Sequence, residues 1–441
     1  MNEAENKNYL RHITELGKKQ TIVTHEDIRS NEGIKLVTSG TRVNASFYEK
    51  LLKHKLLKPI DQSLKIEECL SAEILKEKAA QQIKQSTLLE AMQKNSANAE
   101  LLFSIFSSLK IPEILLFKLT VAEKQLPVVF NHCLNVAIAS VYIAIELKQN
   151  EKNLEIIAIA GLFHDIGLLH LDVNLFNSNK KFSENDRKQI YSHPIVANLM
   201  LKTFPGYQLI SHAIIEHHER MDGSGYPQGL EGKQIDLPGQ ILIVAELAIS
   251  LTEQKNHFGY LNRLQAILKF NTNQYPHTVV DILLSLLKKI KENIPDTELS
   301  MGKDEFLETL SSIWSAINSW DFEHDEGLEV PYEISTYISN RLNELTHALN
   351  MSGLNLDELA LLETELDEIL ADSEEMMALL DEAMYQVKNI VNEITRRWPN
   401  RTVDEDTETA ITKWLKKVKL LFTEAEEIET ESEALPTSEG S

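Results

Sequence analysis

Between Pro127 and about Lys289, apolar residues recur at three- and four-residue steps, and almost every segment reads as helix. Pro127 suits a first helical turn, and the apolar positions Val136, Ala139, Val141, Ile143 and Ala144 follow it. Leu154 to Leu162 is apolar and leads into His164 and Asp165. Ser183-Glu-Asn-Asp186 has capping-box spacing, with aspartate where glutamate or glutamine is preferred, and is expected to open a helix containing His193. A helix from about Tyr207 to Glu219 runs into the glycine-rich Asp222-Gly-Ser-Gly-Tyr-Pro. Pro238 then precedes another, Ile241 to Leu251.

The flanks read differently. Gly17 to Ser46 carries strand and turn signals: Gln20-Thr-Ile-Val-Thr is β-prone, Asn31-Glu-Gly is a turn, and Ile34-Lys-Leu-Val-Thr alternates. Phe47 to Leu57 predicts a short helix before Pro59, and Ile66 to Leu116 is largely helical in pattern. Beyond Glu329-Val-Pro, the residues Leu359, Leu362, Leu366, Ile369, Met376, Leu380, Val387, Ile390 and Ile394 form a heptad seam. A second helix is expected around Thr407 to Phe422. Such a seam fits a hairpin within one chain, a homodimer or a signalling partner on these helices equally well. The expected organisation is a small α+β module over 1–65, a helical connector over 66–120 and a helical domain over 121–325. An acidic helical hairpin or coiled coil over 330–425 and a disordered acidic tail over 426–441 complete it.

At 441 residues the chain exceeds one ordinary core. A net charge of -23 argues against a nucleic-acid polymer or an anionic membrane as the main partner, and much of the acid lies beyond Asp357. The two cysteines, Cys69 and Cys133, form neither a disulfide framework nor a thiolate zinc motif, which suits a reducing compartment. The N-terminus has no apolar core of a signal peptide, and no stretch reaches 18 uninterrupted apolar residues. A cytoplasmic location without membrane insertion is therefore expected.

The chemistry concentrates in one region. Of 14 histidines, His132, His164, His193, His217 and His218 all fall in the central helical stretch, with Asp165 directly after His164. A lone histidine is usually a core or surface residue, but five at helix ends and faces beside a carboxylate have the composition of a transition-metal site. Imidazole and carboxylate together suit Fe, Mn, Co, Ni or Zn, and a carboxylate can bridge two ions.

Phe163-His-Asp-Ile-Gly167 resembles the HD signature of the HD superfamily of phosphohydrolases. His217-His-Glu-Arg-Met-Asp-Gly-Ser-Gly-Tyr-Pro227 resembles the HHExxDGxGYP signature of the HD-GYP subfamily. The resemblance covers roughly Pro127 to Leu251 and implies a mainly α, helical HD-type domain, here with the N-terminal α+β module and a C-terminal helical extension. It implies two divalent metal ions, iron or manganese, held by His132, His164, Asp165, His193, His217, His218 and Glu246. Glutamate at 246 stands where the family has aspartate. It further implies hydrolysis of cyclic di-GMP to pGpG or GMP by a metal-bridging hydroxide, with His164 and Asp165 at the catalytic centre. Lys180, Lys181, Arg220 and Tyr226 are the candidate substrate contacts.

Three departures weigh against turnover: Leu168 stands where the family carries a lysine near the substrate phosphate, Gln240 where an arginine is common, and Glu246 where it has aspartate. Val128 stands where members with a third metal carry glutamate, so two metals at most are expected. The alternative reading is a degenerate domain that binds nucleotide or protein partners without hydrolysis. A phosphohydrolase acting on another phosphoester is the third.

Overall fold

The computed structural model describes residues 3–172, 175, 183–252, 260–291, 303–320, 332–352, 354, 373–398 and 411–421. The chain is mainly α-helical and divides into two units, one of 1–255 with 272–294, the other of 256–271 with 295–441.

The first unit opens with helix α1 (Glu3–Lys19), where only strand and turn signals from Gly17 were expected. Two small antiparallel sheets follow. One pairs β1 (Ile22–Thr24) with β4 (Leu64–Ile66), so that Ile22 faces Ile66; the other pairs β2 (Ile28–Arg29) with β3 (Lys35–Val37) around the Asn31-Glu-Gly turn. Helix α2 (Ala45–Leu51) is capped by Asn44 and stops well short of Leu57. Ile66 ends a strand instead of starting a helix, because its partner Ile22 lies far back in the chain.

Helices α3 (Ala72–Gln85), α4 (Thr87–Asn95) and α5 (Ala99–Ser108) each start at a side chain that accepts from an otherwise orphaned backbone N–H: Ser71, Ser86 and Asn98. Then come α6 (Glu113–Gln125), α7 (Pro127–Glu146) and α8 (Glu151–Phe163). Pro127 takes the first helical position of α7. Every residue from Val136 to Ile145 is buried, so α7 is a central helix covered on all sides. Gly161 lets α8 approach closely, since a Cβ there would lie 2.6 Å from the Cα of Ala137. By length and composition, Pro127–Glu146 and Glu151–His170 are apolar enough to cross a membrane, but 72% and 78% of their tested windows are buried inside the protein. They are the core.

A 3-10 turn (Ile166–His170) follows α8, then α9 (Glu184–Ile190), α10 (His193–Leu201), α11 (Gln208–Glu216) and α12 (Leu237–Thr252). The Ser183–Asp186 capping box forms as expected. The helix it opens does not reach His193, which instead begins α10. Pro194 is the reason: it has no N–H to offer the Ile190 carbonyl, so α9 cannot run on. Pro238 lies within the first turn of α12.

The N-terminal module is tied to this helical core. Tyr9 of α1 stacks on His170 at 4.8 Å, and the Asn8 amide donates to the His170 carbonyl at 3.1 Å. Lys118 of α6 lies over the Tyr9 ring and makes a buried 2.7 Å ion pair with Asp61. The expected boundary near residue 65 therefore does not separate two cores. Helix α14 (His277–Lys291) also belongs to this unit, packing on α4, α7 and α12.

The second unit contains α13 (Tyr260–Phe270), α15 (Lys303–Asn318), α16 (Tyr332–Met351), α17 (Ser373–Arg397) and a helix over 411–421. Leu380, Val387, Ile390 and Ile394 of the heptad seam are buried in its core beside Phe306, Ile338 and Trp414. The described part of the seam thus packs inside its own chain. Leu359, Leu362, Leu366 and Ile369, and the tail over 426–441, lie outside the described residues.

Candidate metal centre

Helix ends deliver most of the site. His164 caps α8, Asp165 follows it, His193 opens α10, and His217 and His218 follow α11. His132 projects from α7 and Glu246 from α12, helices that pack on each other. Carbonyls in the last turn of a helix lack intrahelical partners. Three of the histidines use them alike: Nδ1 of His164 donates to Gly161 O at 2.8 Å, that of His193 to Ile190 O at 2.6 Å, and that of His217 to Ile214 O at 2.6 Å. For His193, this carbonyl is the one that Pro194 leaves free.

With the proton fixed on Nδ1, each Nε2 presents a lone pair to the centre. Nε2 of His193 and of His217 face each other at 3.2 Å, lone pair to lone pair in this tautomer. His164 Nε2 is buried with no hydrogen-bond partner. Convergent imidazole lone pairs with nothing to donate to them fit a cation.

The ligand atoms fall into two groups. His193, His217 and His218 form one; His132, His164 and Glu246 form the other. Glu246 Oε2 lies 2.9 Å from His132 Nε2 and 3.3 Å from His164 Nε2, while its Oε1 accepts from Ser250 at 2.8 Å. Asp165 stands between the groups. Its Oδ1 is 2.9 Å from His193 Nε2 and 3.9 Å from His217 Nε2, and its Oδ2 is 3.5 Å from His164 Nε2. All seven residues expected from the sequence to bear ligands are therefore brought together.

Electrostatics keep Asp165, Glu246, His217 and His218 in ligating form, whereas the two carboxylates favour the imidazolium of His164. Burial alone would raise Asp165 and Glu246, but the surrounding imidazoles hold both carboxyls below their usual range. Burial, helped by neighbouring imidazoles, pushes His217 well down and His218 to about 3, so both stay neutral. Burial works against the His164 imidazolium too, yet Asp165 and Glu246 outweigh it and raise that pKa.

The glycine-rich loop is built around a residue that the metal pattern did not single out. Glu219 is fully buried, and its carboxylate accepts from Gln228 N at 2.7 Å and Leu230 N at 3.0 Å. Gly225 must lack a side chain, since a Cβ there would run into the Glu219 and Arg220 backbone. Glu219→Ala is expected to cost about 3 kcal/mol by orphaning two backbone donors, and Glu219→Gln, with one acceptor left, less. Denaturant unfolding of the two variants checks the order.

Of the expected substrate contacts, Tyr226 stacks on His218 at 4.6 Å with 22° between the rings. Arg220 donates to Glu219 O and lies 5.3 Å from the Tyr275 ring centre. Lys180 and Lys181 lie outside the described residues. Leu168 is half-buried, Val128 is 78% exposed, and Gln240 donates its amide to Ile235 O at 2.8 Å. Cysteine spacing offers no thiolate motif, yet buried Cys133, next to His132, has its sulfur within 4.8 Å of ligand atoms of His164 and Asp165. The positions of Ser250 and Glu246, four apart on one helix, were the signal available for the Ser250 contact.

A profile of the HD domain family matches residues 73–259. The chain is 30% identical over 183 residues to the 3'3'-cGAMP-specific phosphodiesterase 1 of Vibrio cholerae, covering 41% of this chain and 42% of that protein. It is 25% identical over 190 residues to the 3'3'-cGAMP-specific phosphodiesterase 3 of the same organism, covering 42% and 40%. With the cyclic di-GMP phosphodiesterase response regulator RpfG of Xanthomonas campestris it shares 32% identity over 107 residues, covering 24% and 28%. The chain spans less than half the length of these curated relatives. HD domains are metal-dependent, the candidate ligand groups lie within the matched span, and the His217–Pro227 signature falls there too, so residues 73–259 carry an HD domain of the HD-GYP type.

Proposed function

We propose that the protein is a metal-dependent phosphodiesterase that linearises a cyclic dinucleotide, cyclic di-GMP to pGpG or GMP, or the closely similar 3'3'-cGAMP. The observation that carries this is Asp165, with one carboxylate oxygen turned to each of two ligand groups. Two divalent ions, iron or manganese, belong to the proposal, with His132, His164, Glu246 and Asp165 as ligands of one and Asp165, His193, His217 and His218 as ligands of the other. When bound, such ions supply a nucleophilic water at neutral pH and positive charge against the phosphoryl oxygens. The chain's own part is to orient the imidazoles through Nδ1–carbonyl hydrogen bonds, to keep Asp165 and Glu246 ionised, and to enclose the cluster in apolar helices. His164 and Asp165 are the proposed catalytic centre. Tyr226 and Arg220 are proposed contacts for substrate, as are Lys180 and Lys181.

Cys69 and Cys133 are both free thiols, which supports a cytoplasmic location as part of the same proposal. A homodimer or a signalling partner on the C-terminal helices is proposed too. Incubation of Mn(II)-loaded protein with cyclic di-GMP and 3'3'-cGAMP, with chromatography of the products, tests the activity and ranks the two substrates. Products from neither would sink it.

A second reading, binding without turnover, is favoured by two specific features. Leu168 offers a phosphate neither charge nor donor, and the Gln240 amide is spent on Ile235 O. On the enzymatic reading, Leu168→Lys adds the missing charge and raises kcat/KM about tenfold. On the second reading it changes affinity and yields no product.

A further inference from the structure

We infer that Tyr191 is a stacking platform for one purine base of the substrate, a positioning residue that no metal or signature motif assigns. The inference rests on the cyclic-dinucleotide reading above. Tyr191 closes α9, its N–H donating back to the Arg187 and Gln189 carbonyls, so its backbone is fixed at the end of the helix. Its side chain is nevertheless 45% exposed. The ring lies 4.7 Å from that of Tyr226, tilted by 39°, and the Tyr226 ring lies 4.6 Å from His218. Three aromatic rings thus step outward from the metal-ligand cluster to solvent, and Tyr191 is the outermost.

Each member of that series has a reason to be there except the last. His218 belongs to the ligand group, and Tyr226 covers His218 and sits in the loop anchored by Glu219. Tyr191 has a large apolar face left in water. A cyclic dinucleotide must bring its phosphodiester to the ligand cluster, and each phosphate is joined through a ribose to a flat base that projects away from it. A ring two stacking distances out from His218 meets a base on that course. Aromatic stacking is tolerant of base identity, since every base has a π-face, so this platform serves guanine and adenine alike. It also supplies binding where polar contacts are few, because Leu168 and Gln240 offer the phosphate little.

The test compares Tyr191→Ala, Tyr191→Phe and wild type on three readouts. These are hydrolysis of cyclic di-GMP, hydrolysis of its abasic counterpart (a base-free diester with no aromatic ring), and binding of cyclic di-GMP by equilibrium dialysis. Tyr191→Ala is expected to weaken dinucleotide binding about tenfold and to raise its KM more than it lowers kcat. The preference for dinucleotide over the base-free diester then falls by the same factor, and Tyr191→Phe restores it. Unchanged binding in Tyr191→Ala overturns the inference, as does an equal loss on both substrates, which would mean a structural role. If wild type binds the dinucleotide but cleaves neither diester, the phosphodiesterase reading fails and dialysis alone decides Tyr191. If wild type cleaves the base-free diester and binds no cyclic dinucleotide, the substrate class and the platform fall together.

Discussion

Asp165→Ala is expected to lower the proposed phosphodiesterase activity by roughly a thousandfold or more and to deplete metal from both halves of the candidate ligand cluster, while the helices stay formed. The size follows from position. Asp165 sends one oxygen toward His164 and the other toward His193 and His217, so its loss removes a ligand from both groups at once. It also removes one of the two negative charges facing the imidazoles and leaves Glu246 as the other. Helicity is spared because the histidine rings remain tied to carbonyls of their own helices through Nδ1. The double variant His164→Ala with Asp165→Ala goes further in the same direction. Metal analysis beside circular dichroism checks both; metal retained at the wild-type level would remove these residues from the ligand set.

Gly167→Ala has the second large effect, although glycine carries no chemistry. The 3-10 turn after Asp165 runs so close to the start of α10 that a Cβ at 167 would collide with the His193 carbonyl oxygen. Backbone cannot yield as a flexible side chain does. Either the turn carrying Asp165 or the helix carrying His193 must move, at a cost of about 1–3 kcal/mol. The 2.9 Å approach of Asp165 to His193 is the contact most exposed to that movement. The variant is expected to melt lower and to bind about one ion fewer, lost from the group of His193, His217 and His218. Titration calorimetry with Mn(II) on folded protein separates the two effects. Wild-type stoichiometry in a variant that melts normally would show that the close approach is not what aligns the site.

How much of this was legible in the sequence depends on distance along the chain. The candidate ligand set could be read because Phe163–Gly167 and His217–Pro227 resemble the HD and HD-GYP signatures, and that resemblance implied His132, His193 and Glu246 as well. Glu246 stood out despite replacing aspartate, and the structure brings it within 2.9 Å of His132. The helix break before His193 was missed, although Pro194 carries its cause in plain view. What could not be read were contacts between remote segments. The pairing of Ile22 with Ile66 is one, and the docking of Tyr9 on His170 with its Lys118–Asp61 ion pair is another. These join residues that no local period relates. The heptad seam was ambiguous for a similar reason: its spacing specifies an apolar stripe, and only the burial of Leu380, Val387, Ile390 and Ile394 in the unit's own core says what covers the described part.

Glu219 is instructive in another way. It sits inside the signature, between His218 and Arg220, yet contributes no ligand atom to either group. Its carboxylate satisfies the loop's own backbone, and through that loop it holds Tyr226 against His218. The motif thus records two requirements, a pair of candidate ligands and the scaffold of the loop that covers them.

The most direct measurement is the metal content and turnover of one anaerobically purified sample: elemental analysis per chain, then cyclic di-GMP hydrolysis followed to pGpG or GMP. The account predicts close to two ions of iron or manganese per chain, and turnover lost in Asp165→Ala. Fully helical protein that takes up no transition metal, even when Mn(II) is supplied, would contradict it.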